Sequence, residues 1–187
     1  MRLKQPRIAP LSDDQLTSEQ AEALDAFRPG PVLNIFRTLA HAPKALSRFN
    51  QWGGYILSRR NDLPAREREI VILRTGFLCK SGYEWTQHHR IGLREGLTED
   101  EIARIKQGPD AGWSPADAVL IRASDELHAD QFITDATWAE LKAHFSEKQC
   151  MDVVFTAAQY TQVSMFLNTF GVQLDEGQTL DPDLKGY

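Results

Sequence analysis

Apolar residues recur at every third or fourth position along most of the chain, and no stretch sustains apolar/polar alternation between hairpin turns. The pattern predicts an all-α fold. Helices are expected at about 17–27, 43–59, 64–80, 82–95, 98–107, 115–130, 135–145 and 147–170, with ends placed to within ~2–4 residues. Start signals support these positions. Thr17 with Gln20, Thr98 with Glu101, Ser114 with Asp117 and Ser146 with Gln149 have the spacing of a capping box or a close variant. Pro43, Pro64 and Pro115 suit first helical turns, where a missing N–H costs nothing.

Two segments lack a polar face. Residues 150–170, CMDVVFTAAQYTQVSMFLNTF, and 70–79, IVILRTGFLC, are apolar around most of the circumference. Such helices are enclosed by others, within the subunit or across an oligomer contact. Arg74 interrupts the second segment. A buried guanidinium needs a carboxylate or carbonyl partner, and Glu67 or Glu69 is the nearest candidate; contact with a substrate anion is the alternative. Residues 108–114, GPDAGWS, read as a surface connection or a hinge. After a core of about 17–172, the polar stretch 173–187 loses helical period, as expected of a frayed tail or of an arm lying on a neighbouring subunit.

Composition narrows the class further. The 187 residues, 42% of them apolar, suffice for one well-buried core, so 1–187 is read as a single domain. A net charge of -5 with scattered Lys and Arg gives no basic stripe for a nucleic-acid backbone or a membrane surface. Two cysteines 71 residues apart make neither a disulfide framework nor a zinc motif. No apolar run reaches the roughly 18 residues of a membrane span, and no apolar stretch follows the charged N-terminus as in a secretory signal. A cytoplasmic location is expected.

The candidate chemistry gathers in one place. Glu69, Cys79, Ser81, Tyr83, Glu84, His88 and His89 fall within 21 residues, whereas His41, His128 and His144 stand apart. On a helix beginning near Gly82, Glu84 and His88 are four apart and share a face. A carboxylate against an imidazole fixes its tautomer and raises its basicity, which prepares proton transfer near neutral pH. If the preceding helix folds back as an antiparallel partner, Glu69 meets His88 or residues beyond it from the facing side. Ser81-x-x-Glu84 is also a good capping box, and His89 points about 100° away from His88. Glu84 and His88 make at most two ligands of a metal site, so neither a metal nor an organic cofactor is expected.

Arg7-Ile8-Ala9-Pro10, Asn34-Ile35-Phe36-Arg37, Gly53-Gly54-Tyr55, Leu63-Pro64-Ala65-Arg66-Glu67-Arg68-Glu69, Tyr83-Glu84-Trp85 and Asn168-Thr169-Phe170-Gly171-Val172 together resemble the carboxymuconolactone decarboxylase family, which includes the AhpD-type alkylhydroperoxidases. The resemblance implies a multihelical fold with a helical-hairpin core, homo-oligomers (dimer, trimer or hexamer) and a small-molecule substrate. The peroxidase branch carries Glu, eleven residues, Cys, two residues, Cys, three residues, His. On this chain that frame falls on Glu69, Ser81, Glu84 and His88, so the spacing is kept and both sulfurs are gone.

Hydroperoxide reduction needs an attacking thiolate and a resolving thiol, which Ser81 and Glu84 do not provide. The family's other activity, which the resemblance still implies, needs no thiol: an acid–base lyase acting on a small lactone or related carboxylic acid, with His88 as proton donor or shuttle, Glu69 as its partner or a second acid/base group and Glu84 orienting His88. Cys79, Ser81, Tyr83 and Arg74 are secondary candidates. A one-cysteine peroxidase using Cys79 and a small-molecule-binding protein without turnover are the alternatives, and Tyr83 and Trp85 are expected near the mouth of an apolar pocket.

Overall fold

The computed structural model describes residues 1–186; Tyr187, the last residue of the predicted tail, lies outside them. Among the described residues the regular structure is helical throughout. The elements are α1 (Ser18–Asp25), α2 (Asn34–Leu39), α3 (Pro43–Ile56), α4 (Ala65–Leu78), α5 (Gly82–Arg94), α6 (Glu99–Ile105), α7 (Pro115–Asp130), α8 (Asp135–His144) and α9 (Glu147–Phe170), with short 3-10 turns at Asp13–Gln15 and Pro182–Leu184. The eight helices predicted from periodicity are present. The additional one, α2, has six residues, too few to display a period.

The starts follow the local chemistry. Thr17, Thr98, Ser114 and Ser146 each accept a hydrogen bond from the backbone N–H three residues on, and all but Ser114 complete a reciprocal box. Ser81 departs from this pattern. Its backbone sits at ψ 90 rather than the ψ of 154–164 found at the other four caps, its side chain makes no cap bond, and its Oγ is buried without a partner. The expected Ser81–Glu84 box is therefore absent, and the Glu84 side chain is free to turn inward.

At the centre lies α4, which packs against α5, α7 and α9 and is buried over nine consecutive residues, Arg68 to Gly76. It forms the hairpin with α5 through a link of three residues, in which Lys80 has φ 54. Ile70, Val71, Leu73, Trp85, Val119, Leu120, Val153 and Ala157 join these helices in the main apolar cluster. Gly76 permits the close approach of the hairpin arms, because a Cβ there would stand 3.2 Å from Glu84 Cγ.

Arg74 finds partners other than those expected. Its Nε and one terminal nitrogen donate to Asp125 at 2.5 and 3.0 Å, and the other terminal nitrogen donates to the carbonyls of Ile105 and Lys106. Glu67 lies two helical turns away, about 10 Å, while Glu69 projects from another face. The segment after residue 172 also differs from both expectations, since it folds back on its own chain. Asp175 accepts from Tyr83 Oη at 2.6 Å, Gln87 Nε2 at 2.7 Å and the Asn34 N–H at 2.8 Å. Asp181 accepts from Trp85 Nε1 and Lys106, and Leu184 is buried.

Candidate active site

The α4–α5 hairpin brings Glu69, His88 and Glu84 together within one chain. His88 Nδ1 lies 2.7 Å from Glu69 Oε2 in a hydrogen bond. His88 Nε2 stands 3.1 Å from Glu84 Oε1, near enough for charge attraction but not aligned as a hydrogen bond, so that oxygen has no hydrogen-bond partner among the described residues. Glu69 is completely buried, and Glu84 and His88 retain 4% and 6% exposure. The last two open onto a cavity of about 280 Å³ between α2, α3, α5 and α9, whereas Glu69 stands behind His88, outside the wall.

Burial and charge set the proton distribution. Burial pushes the Glu84 carboxyl up to about 7; the positive His88 pulls it down, and the negative Glu69 adds to the rise. Burial opposes the imidazolium of His88, but the charges of Glu69 and Glu84 and the Glu69 hydrogen bond outweigh it, and the net shift is upward. The arrangement sets an imidazole whose charged form is favoured between the Glu69 side chain and a Glu84 carboxyl close to half protonation near neutral pH. Such a group both gives and takes a proton at little cost. Glu69 is the hydrogen-bonded partner of His88, and Glu84 is the carboxyl that faces the cavity.

Of the secondary candidates, Tyr83 lines the cavity, but its hydroxyl donates to Asp175. Trp85 turns the other way, into the main core, and does not stand at the mouth. Ser81 is buried at the hairpin turn. Cys79 closes α4 outside the cavity wall, 3.7 Å from His128 Nδ1, and burial raises its thiol above the usual range. Arg74 is occupied by Asp125. His89 meets Glu99 at the surface. Among the described residues no group of three or more His, Cys, Asp and Glu side chains could hold a metal ion, and no helix is long and apolar enough to cross a membrane.

The local reading missed three contributors. Tyr160 places its ring edge-on to His88 with centroids 4.8 Å apart, and Gln159 beside it has a buried Oε1 without a partner. Both come from α9, and polar residues within that apolar helix were the available signal. Arg68, next to Glu69, is buried with its Nε unpartnered, and its charge works against the His88 proton.

Residues 43–125 match the model of the carboxymuconolactone decarboxylase family. No curated protein sequence matches the chain. Among solved structures, an AhpD-core, peroxidase-related protein from Ralstonia eutropha JMP134 superposes with a TM-score of 0.76 at 19% identity, covering 90% of this chain and 93% of that one. A peroxidase-related protein from Silicibacter sp. TM1040 gives 0.74 at 14% identity, covering 94% and 92%. The debrominase Bmp8, in its complex with 2,3,4-tribromopyrrole, gives 0.74 at 11% identity, covering 92% and 94%. At these identities the superpositions establish the fold, an AhpD-like helical architecture.

Proposed function

We propose, from the match of residues 43–125 to the carboxymuconolactone decarboxylase family and from the site itself, that the chain is a cofactor-independent acid–base enzyme that moves a proton at carbon in a small carbonyl compound, lactones and related acids first among them. One observation carries the reading. The hydrogen-bonded line Glu69–His88, continued by Glu84, ends at an apolar cavity whose wall contains no thiol.

The chemistry follows from the placement. Loss of carbon dioxide from an unsaturated lactone acid, or loss of a proton beside its carbonyl, sends an electron pair into the carbonyl, and the resulting enolate is then protonated at carbon. Glu84 is the group with a proton to deliver, His88 adjusts the charge of Glu84, and Glu69 positions His88. In a thiol peroxidase the attacking sulfur must reach the substrate as thiolate. Cys79 lies outside the wall with a raised pKa, and Cys150 is enclosed in the main core. Homo-oligomer formation belongs to the same proposal, with Trp52, Met151 and Met165 exposed on α3 and α9 as contact area.

The test is proton exchange in D2O, followed by NMR, on α-angelica lactone, muconolactone and 4-carboxymuconolactone, with carbon dioxide release measured for the last. The expected result is exchange or decarboxylation that disappears in His88→Ala and persists in Cys79→Ser. Inertness of all three compounds, or activity that needs Cys79, refutes the reading.

A further inference from the structure

The cavity in front of His88 exists because α3 presents glycines to it. A Cβ at Gly54 would touch nothing within 4 Å, and one at Gly53 would meet only Gln159 Nε2 at 3.7 Å. Glycine in a helix interior costs roughly 1 kcal/mol relative to alanine, so α3 gives up stability where the room opens. Phe36 of α2, Ile91 of α5, Val163 of α9 and Phe49 of α3 itself line the same space. The space of about 280 Å³ fits a single ring with a few substituents.

The charges around this space have a definite pattern. No Arg or Lys lines the wall, and its only charged groups are Glu84 and His88. Both nitrogens of His88 already face carboxylates, at 2.7 and 3.1 Å. Arg68 lies behind the wall, so Glu69, Arg68, His88 and Glu84 sum to zero when all four are ionised. A carboxylate entering here would leave water, find no ammonium or guanidinium to contact, and stand beside Glu84.

The available polar groups suit a different guest. Tyr83 and Gln87 are committed to Asp175. The Tyr160 hydroxyl has no hydrogen-bond partner among the described residues, and burial holds it protonated at every working pH. It is a neutral donor beside a proton-carrying carboxyl, the pairing that stabilises a developing enolate oxygen without a formal positive charge.

We propose that the cavity takes an uncharged, ring-sized unsaturated carbonyl compound, a lactone or cyclic enone without a free carboxylate, with Tyr160 donating to its carbonyl oxygen. This rests on the acid–base reading and narrows its substrate class. On a β,γ-unsaturated lactone, ionised Glu84 removes a proton from the carbon between carbonyl and double bond. The electron pair moves onto the carbonyl oxygen, and the proton returns at the far end of the conjugated system. One C–H bond breaks and another forms, and no co-reactant is consumed.

A matched pair tests the charge preference. β-Angelica lactone and muconolactone share a ring and differ in a methyl against a carboxymethyl substituent; muconolactone methyl ester controls for size. Binding to the full chain is measured by calorimetry at pH 7.5, and α-angelica lactone is used for turnover. The expected result is that β-angelica lactone and the methyl ester bind at least tenfold more tightly than muconolactone, that Gly54→Leu removes this binding while the protein stays folded, and that Tyr160→Phe lowers kcat at least tenfold with little change in KM. Equal or tighter binding of muconolactone, or no binding of either uncharged compound at millimolar concentration, overturns the proposal. Tight uncharged ligands without proton exchange would sustain this substrate class and sink the acid–base reading, while exchange confined to carboxylates would do the reverse.

Discussion

Replacing Glu84 by Gln keeps the shape of the side chain and removes its charge, which isolates the electrostatic design of the site. In the folded chain the Glu84 carboxyl is raised to about 7 from an ordinary 4.5, chiefly by burial. Between those values the folded protein holds a proton that the unfolded chain has released, so stability falls as pH rises from 4.5 through 7. At ~1.4 kcal/mol per unit the loss is about 3 kcal/mol.

His88 contributes in the same direction. Its raised pKa gives stability that is complete below 6.5 and lost as pH rises through the folded value. Glu84→Gln abolishes the first contribution, and by deleting a carboxylate beside the imidazole it shrinks the second. Relative to the wild type, the variant should therefore gain about 3 kcal/mol in unfolding free energy between pH 4.5 and pH 8. Urea denaturation across that range measures it, because the common contributions of Asp152, Asp181 and Glu101 cancel in the difference. A difference that stays flat with pH to within about 0.5 kcal/mol would refute the protonated Glu84 and the proton delivery built on it.

Two further outcomes follow from packing around the site. Asp175→Ala removes the acceptor shared by Tyr83, Gln87 and the start of α2, and should lower stability by about 1–3 kcal/mol while raising KM more than it lowers kcat; equal effects on both constants would separate Asp175 from the cavity. Arg74→Met strands Asp125 and the carbonyls of Ile105 and Lys106, so chemical denaturation should show a loss of about 3–5 kcal/mol with ligand affinity unchanged in the protein that remains folded. A specific loss of carboxylate binding in that variant would restore Arg74 as an anion contact.

How much could be read in advance depended on how local each determinant is. Glu84 and His88 are neighbours by helical geometry alone, and Glu69 joins them as soon as two helices fold back across a three-residue link. Four helix starts were equally local. The inward turn of Glu84 was not, because it depends on the backbone angle at Ser81, which the sequence Ser-x-x-Glu does not reveal. Arg74 has acids close by in the sequence, but its partner Asp125 lies 51 residues away on α7. Tyr160 and Gln159 sit in a largely apolar helix that also carries Asp152, Thr156 and Gln162, and nothing local marks which of its polar residues reaches the cavity beside His88. Asp175 belongs to a stretch with no period, and only folding shows that it organises one side of the cavity.

The close approach of the hairpin arms at Gly76 has a consequence beyond this one chain. Because a Cβ there would already press on Glu84 Cγ at 3.2 Å, residues 76 and 84 share a fixed volume. Across homologues the two positions should covary: glycine at the first wherever the second bears a long acid, and a shorter side chain at the second wherever the first has grown. Position 76, itself without any reactive group, would then mark which relatives have inherited the acid–base apparatus and which have exchanged it for other chemistry.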